Sequence, residues 1–145
     1  MNDKTIEQEI QSKGLNAPRV TPDAIEAEIT HCYYINAGEA HRANWPDLNA
    51  KDEEHPSINL LTFCVLVLRN GFTVTGESAC ASPENFDAEI GRKIARQNAV
   101  QKIWPLLGFR LRDDLVRSAL TDADAQADLA GTSRPDHPRH SVANP

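Results

Sequence analysis

An unbroken apolar run followed by a turn signal constrains the fold more than any other feature of the chain. Residues 60–68 read Leu-Leu-Thr-Phe-Cys-Val-Leu-Val-Leu, which predicts a buried strand. Asn70-Gly71 follows, and this pair favours a two-residue hairpin loop because both residues tolerate the positive φ angles of its turn. Residues 72–75 supply the returning strand. The sequence therefore predicts an antiparallel β-hairpin at the centre of the chain.

The two-residue loop fixes a predicted register for this hairpin. It pairs Arg69 with Phe72, Val67 with Val74, and Leu66 with Thr75. One face of the hairpin then carries four apolar residues: Val65, Val67, Phe72 and Val74. The other face carries two leucines and two threonines: Leu66, Leu68, Thr73 and Thr75. This second face is half polar, so it is predicted to be the outer face or an interface.

Helical signals lie on both sides of the hairpin. Thr21 is a good N-cap, proline follows at the first helical position, and the apolar spacing after it predicts a helix over Pro22–Tyr34. Residues 36–57 are rich in polar groups, Gly and Pro, with Trp45 as their one large anchor, and predict a long loop. A second helix is predicted from Phe86 to Trp104, where Pro105 disfavours its continuation.

The predicted helix over 86–104 has two different stripes. The first is apolar and large: Phe86, Ile90, Ile94 and Trp104. The second consists of small residues that would allow another backbone to approach closely: Ala88, Gly91, Ala95 and Ala99. Both stripes could belong to the core. Alternatively, one packs on the hairpin and the other on a second subunit, with Gly91, Ala95 and Ala99 as the interface, which predicts a homo-oligomer.

The remaining chain completes the predicted architecture. Leu111, Leu115, Val116 and Leu120 indicate a short C-terminal helix, and the polar residues from Thr121 onward predict a disordered tail. The fold class is therefore α+β: an N-terminal helix, an antiparallel β-hairpin packed against a long central helix, and a short final helix. Residues 1–120 would form one domain, and residues 121–145 the tail.

Charge and composition exclude several classes of function. The net charge is −6, which argues against direct nucleic-acid binding. The distribution is uneven, because residues 86–117 hold seven basic and four acidic side chains and so carry +3, which leaves −9 elsewhere.

No apolar run is long enough to span a membrane, and the N-terminus lacks a signal core. Cys32, Cys64 and Cys80 are widely spaced, which favours reduced thiols in a cytoplasmic protein.

Candidate sites of chemistry are few. Ser78, Cys80 and Ser82 lie on a connector without a nearby histidine, so catalysis would need a distant partner such as His31, His41 or His55. No pair of cysteines has metal-binding spacing and no glycine-rich phosphate loop is present, so neither a metal nor a cofactor is predicted. An anion or nucleotide site would instead combine six residues, with Phe86 or Trp104 as further stacking faces: Phe72, Ser78, Ser82, Asn85, Arg92 and Arg96. Acidic residues at the same helix start oppose such a site.

A longer block of sequence resembles a known family. Residues 61–66, 70–80, 82–92 and 102–106 are similar to small tailed-phage and prophage proteins of the "gp forty-nine-like" type, as are Thr21-Pro22 and Tyr33-Tyr34. The resemblance extends over roughly residues 15–112. It implies a phage origin and action in the infected or lysogenic cell, and it carries over no catalytic or ligand residues.

Three functions follow as hypotheses. The first is an accessory binding protein that acts inside the bacterial host, with counter-defence as one version, either by binding a host protein or by sequestering a nucleotide signal. The second is a structural protein of the virion or of its assembly. The third is a small enzyme built on Ser78, Cys80 and a distant histidine, and the absence of a local catalytic set makes it the weakest of the three.

Overall fold

A computed structural model describes residues 2–44 and 54–134 of the 145-residue chain. It is an α+β structure with a three-stranded antiparallel sheet in the order β1-β2-β3. The chain divides into two compact units, residues 1–106 and 107–145. The helices are α1 (Asp3–Ser12), α2 (Pro22–Glu28), α3 (Ala37–Asn44), α4 (Ala88–Gln101) and α5 (Ile103–Ala130). The strands are β1 (Ile29–Asn36), β2 (Leu61–Leu68) and β3 (Thr73–Ala79), with short 3-10 helices at Pro56–Leu60 and Pro83–Asn85.

The first predicted helix is much shorter than expected, and the prediction of a helix over Pro22–Tyr34 is wrong in its second half. Its start is as predicted, because the Thr21 hydroxyl accepts a hydrogen bond from Ala24 N at 3.1 Å. The helix ends at Glu28, and residues 29–36 form β1, which pairs with the whole length of β2. These residues are mostly β-branched or aromatic and fit a pleated surface, so pairing with β2 outweighs the helical spacing of the apolar residues.

The central hairpin is present, but its loop has three residues rather than two. Gly71 N donates to Leu68 O and Leu68 N donates to Phe72 O, both at 2.8 Å. Gly71 has φ +86°, and no described residue other than glycine has a positive φ, so Asn70 does not form the predicted turn. This is a type I turn followed by a left-handed glycine.

The third loop residue moves the register by one position. Leu66 pairs with Val74 and Val67 with Thr73, instead of the predicted partners. Because side chains alternate between the two faces, this shift exchanges the faces of the returning strand relative to β2. The buried face carries Cys64, Leu66 and Leu68, whereas Val65 and Val67 lie on the opposite face. Of the face predicted to be outer, Leu66 and Leu68 therefore lie on the core face, whereas Thr73 and Thr75 do point outward.

Helix α4 packs on this core face through its small residues. Gly91, Ala95 and Ala99 are all buried within the chain. A Cβ atom built on Gly76 of β3 would overlap the Ala95 carbonyl oxygen and the Ala99 nitrogen, so helix and strand meet backbone to backbone. The small stripe is thus the intramolecular contact, and the alternative in which it binds a second subunit is corrected.

The large stripe of α4 has the opposite placement. Ile90 is 56% exposed and Ile94 is 42% exposed. A long side chain between helix and sheet would hold the backbones too far apart for the contact at Gly76, so the large residues lie on the outside. Size rather than hydrophobicity decides which stripe of this helix is buried.

The end of α4 also differs from prediction. Asp87 caps the helix by accepting a hydrogen bond from Ile90 N at 3.0 Å, and the helix ends at Gln101 instead of Trp104. Pro105 lacks an N–H group, and in a continuous helix its ring would clash with the carbonyl of residue 101. It lies instead in the first turn of α5, where a missing donor is tolerated. The proline breaks the helix one turn earlier than expected.

The second unit contains a longer helix than the sequence predicted. Helix α5 continues to Ala130, so residues 121–130 are helical where a disordered tail was expected to begin. Gly131 follows with φ +68°, and Thr132 N donates to Ala127 O at 2.9 Å, which is a Schellman C-cap. Residues 135–145, including the rest of the predicted tail, lie outside the described residues.

The predicted long loop over 36–57 is partly helical. Asn36 Oδ1 accepts from Glu39 N at 3.1 Å and caps α3. The Asn36 side-chain amide also donates to Asn59 O at 2.9 Å, which ties the end of β1 to the 3-10 helix before β2. Residues 45–53, including the predicted anchor Trp45, lie outside the described residues. No helix within 2–44 or 54–134 has the length and hydropathy to span a membrane.

We expect Gly76→Ala to destabilise the protein strongly. The new methyl group would meet two backbone groups of α4, which cannot rotate away, and the expected loss is about 3 kcal/mol or more in the free energy of unfolding. Gly108→Ala is the matched control, because open space surrounds that position and alanine favours a helix by ~1 kcal/mol. Urea denaturation followed by circular dichroism measures both. Equal stability of the two variants would contradict the proposed contact.

Candidate functional site

A cavity of about 620 Å³ lies in the first unit, which is the size of pocket that takes a small molecule. Its wall is built from the start of α1, from α2, from one residue of β1, and from the outward side of α4 continuing to Trp104. The lining side chains that could recognise a ligand are two aromatic and six charged ones: Tyr34, Trp104, Asp3, Lys4, Asp23, Glu26, Lys93 and Arg96.

Trp104 lines this wall. Its indole nitrogen Nε1 is buried, and no acceptor among the described residues bonds to it. A buried N–H group without a partner is uncommon in proteins, and it costs about 1–3 kcal/mol of desolvation. Because this nitrogen has almost no accessible surface, a ligand in the cavity would contact the aromatic ring rather than the N–H group.

Arg96 is held in the wall by Glu26 of α2. Its two terminal nitrogens reach the two carboxylate oxygens at 2.9 and 3.2 Å. The hydrogen bonds of this pair raise the pKa of the Arg96 guanidinium and lower the pKa of the Glu26 carboxyl. Within the part of the chain that the structure describes, two of the five guanidinium N–H groups are used, so the remaining donors can bind a ligand in a fixed orientation.

Tyr34 stays a neutral phenol at any physiological pH. Partial burial raises the pKa of its hydroxyl to about 12, and the neighbouring Cys32 thiol adds to the shift. Its ring is 41% exposed, so it offers an apolar surface and a hydrogen-bonding group together.

The charges around the cavity balance. Lys4, Lys93 and Arg96 are cationic, and Asp3, Asp23 and Glu26 are anionic. Two of the acids already accept hydrogen bonds, Glu26 from Arg96 and Asp3 from the Gln101 amide at 3.2 Å. A ligand that fits this wall would carry both acidic groups and hydroxyl donors.

The structure places the six sequence-predicted ligand residues at four separate positions. Phe72 is 54% exposed at the hairpin tip, and Ser78 lies on β3 opposite Thr62. Ser82 is the N-cap of the second 3-10 helix without a side-chain hydrogen bond, and Asn85 is the last residue of that helix. Arg92 is exposed on α4, and of the six only Arg96 lines the cavity.

The anion site predicted near Ser78–Asn85 is therefore not gathered around the start of α4. The Asp87 carboxylate occupies that helix start as its N-cap. What the structure does bring together is Arg96 with Trp104, which the sequence named as a further stacking face. Lys4, Glu26 and Tyr34 were not predicted, and only a knowledge of how α1 and α2 pack could have found them.

The thiols have structural neighbours. Cys32 Sγ and Cys64 Sγ are 3.6 Å apart on the core face of the sheet, and burial raises the pKa of the Cys64 thiol to about 12. Cys80 Sγ donates to the Ser82 carbonyl oxygen at 3.1 Å. Among the described residues, no hydrogen bond joins Cys80 or the Ser78 hydroxyl to a histidine or a carboxylate.

The three histidines considered for catalysis lie apart from this connector. His31 stacks on Tyr33 with ring centroids 6.1 Å apart on β1, His41 is in α3, and His55 caps the first 3-10 helix. Within 2–44 and 54–134, no group of three or more His, Cys, Asp or Glu residues could hold a metal ion.

We expect Glu26→Gln to weaken the fold slightly and to change its acid sensitivity. The folded-state pKa of Glu26 is lowered, so its stabilisation is present above the unfolded pKa and is lost as the pH falls through the folded value. Because the carboxylate is 57% exposed, the expected loss at neutral pH is below ~1 kcal/mol. Denaturation midpoints between pH 7 and pH 3 measure it.

Glu89→Gln is the control for this experiment. Glu89 pairs with Lys93 at 3.3 Å, but both side chains are 70% exposed and lie on the same helix. This control should leave the pH dependence of stability close to that of the wild-type protein. A response equal to that of Glu26→Gln would show that the link between α2 and α4 has no special role.

Comparisons with known proteins place the chain in a family. A family model described as "Phage protein (N4 Gp49/phage Sf6 gene 66) family" matches residues 20–115. This span includes α2, the whole sheet, α4 and the first part of α5, whereas α1 lies outside it. Comparison with curated proteins gave no match, and comparison with solved structures gave none. Since the match covers about two-thirds of the 145 residues, the chain belongs to the phage protein family of N4 Gp49 and phage Sf6 gene 66.

Proposed function

We propose that this protein is a phage accessory protein that acts inside the bacterial host by binding a small nucleotide signal and removing it from solution. Sequestration requires a pocket and no reaction. The observation that carries the proposal is the cavity in the first unit, where a guanidinium, two ammonium groups and two aromatic side chains share one wall.

The chemistry of a nucleotide matches this wall group by group. Its phosphate would bind the free guanidinium donors of Arg96 and the ammonium groups of Lys4 and Lys93, since charge-assisted hydrogen bonds are the strongest available. Its base would pack against Trp104 or Tyr34. The ribose hydroxyls would donate to the carboxylates of the wall. A nucleotide would thus use both the cationic and the anionic side chains of the cavity, whereas a purely anionic ligand would use only the cationic ones.

Isothermal titration with a panel of 3′,5′-cyclic AMP, cyclic di-AMP, cyclic di-GMP and AMP tests the proposal. We expect at least one of them to bind the wild-type protein stoichiometrically without being converted, which mass spectrometry of the recovered nucleotide checks. If none of the four binds and heating curves show no stabilisation by any of them, the proposal in this form is wrong.

Two substitutions probe the wall if binding is found. Arg96→Gln should weaken binding by about 10- to 100-fold, because a charge-assisted hydrogen bond contributes ~1.5–3 kcal/mol. Trp104→Leu keeps an apolar side chain and removes the aromatic contact, which is worth ~0.5–1.5 kcal/mol, so we expect a loss of about 2- to 10-fold.

Arg92→Gln is the matched control for both substitutions. It removes the same charge from the same helix at an exposed position that does not line the cavity. Binding should stay within about twofold of wild type, the change expected of a distant exposed charge. A loss equal to that of Arg96→Gln would assign the effect to net charge rather than to the cavity.

A role in the virion or in its assembly is the second proposal. The apolar side chains that α4 leaves exposed, Ile90 and Ile94, favour contact with another protein. Mass spectrometry of purified particles tests this role, because a virion component must be present in them at a fixed stoichiometry. Absence from the particles would exclude the virion and leave the accessory role.

A further inference from the structure

The face of the sheet that points away from α4 carries exposed apolar side chains. We name it the open face. The pairing of the strands arranges its side chains in three rows: Ile35-Phe63-Glu77, Tyr33-Val65-Thr75 and His31-Val67-Thr73. Tyr33 is 53% and Ile35 is 42% exposed, and the outward residues of β2 all keep part of their surface accessible.

Strand β2 has the composition of a strand that is covered on both sides. Antiparallel strands with one solvated face alternate between apolar and polar residues, whereas both faces of β2 are apolar, apart from Thr62 on the core face. In contrast, the outward residues of β3 are Thr73, Thr75 and Glu77, which suit contact with water. This composition predicts a cover over β1 and β2, where Tyr33 and Ile35 are exposed.

We propose that the open face binds a second copy of this chain, face to face, about a two-fold axis that runs across the strands through the middle row. This operation exchanges the first and third rows and leaves the strand order unchanged. Val65 then meets the Val65 of the other copy, and Phe63 meets Val67. The apolar columns of β1 and β2 cover each other, and the polar column of β3 faces itself at the rim.

Charge is compatible with a second copy at this face. Each chain carries −6, and the repulsion between two copies is weakest where their contact surfaces are nearly uncharged. The open face has a single carboxylate, Glu77, and the two-fold axis places it opposite Thr73, so no like charges meet. A strongly acidic or basic partner would find no complementary charges over the two apolar columns. Sheets packed in this way are ~10 Å apart with strands within ~30°.

The inference predicts a dimer that one substitution at the centre of the open face dissociates. Val65→Lys places two ammonium groups against each other at the axis, where no acceptor lies opposite. Light scattering after size exclusion should show twice 16.0 kDa for the wild type and 16.0 kDa for the variant. Val65 points outward, so the folded monomer can accept lysine, and Val65→Thr provides a milder variant if Val65→Lys does not fold.

Ile90→Lys is the matched control. It changes an exposed apolar residue to the same amine on α4, which packs on the other side of the sheet. This variant should remain dimeric. A wild-type monomer at its highest soluble concentration, or a Val65→Lys variant that dimerises like the wild type, would overturn the inference.

A cysteine cross-link tests the position of the axis. Because Val65 is predicted to meet its own copy, Val65→Cys should form a covalent dimer with a short bismaleimide. The wild type, with its three native cysteines, and Ile90→Cys should not. Efficient cross-linking of Ile90→Cys without that of Val65→Cys would place the contact on α4 and refute the open face as the interface.

Discussion

The backbone contact between β3 and α4 is the constraint on which the rest of the first unit depends. Gly76 leaves room for the helix only because no Cβ atom stands between it and the backbone at Ala95 and Ala99. The small stripe must then face the sheet, and the residues between its members must face outward. Arg96 follows Ala95 by one residue, which directs it away from the strand and toward Glu26. The wall of the cavity is in this sense a consequence of one glycine.

The sequence predicted the elements best where local signals were unambiguous, and failed where one residue decides between outcomes. The hairpin was predictable because the apolar strand and the Asn-Gly turn signal both indicate it. A third loop residue nevertheless moved the register by one position and exchanged the faces of the returning strand relative to β2. Helix α2 had a clear start at Thr21, but residues 29–36 satisfy both a helical and a strand pattern. Only the unpaired edge of β2, a tertiary feature, selects the strand. The Schellman cap at Gly131 was a local signal for the end of α5 that the polar composition of residues 121–130 obscured.

The candidate site was less predictable than the fold because its parts are distant in sequence. Arg96 and Trp104 lie on neighbouring turns and were both considered, but Glu26 lies 70 residues from Arg96 and reaches it through the packing of α2 on the first unit. Asp3 is farther still, 98 residues from its partner Gln101. Neither periodicity nor a sequence motif predicts contacts between residues that are so far apart in the chain. Residues of the connector, such as Ser78 and Ser82, were predicted to form one site only because they are close together in the sequence.

The connection between β1 and β2 bears on how this family can diversify. Residues 37–60 join two strands that are already held side by side by seven paired positions, and Asn36 fastens one end of the connection to Asn59 at the other. The entropy of closing a loop grows only with the logarithm of its length, so doubling such a connection costs about 0.6 kcal/mol. Insertions here would leave the sheet nearly untouched. Natural selection can therefore remodel this segment for new partners while the glycine-dependent scaffold stays the same.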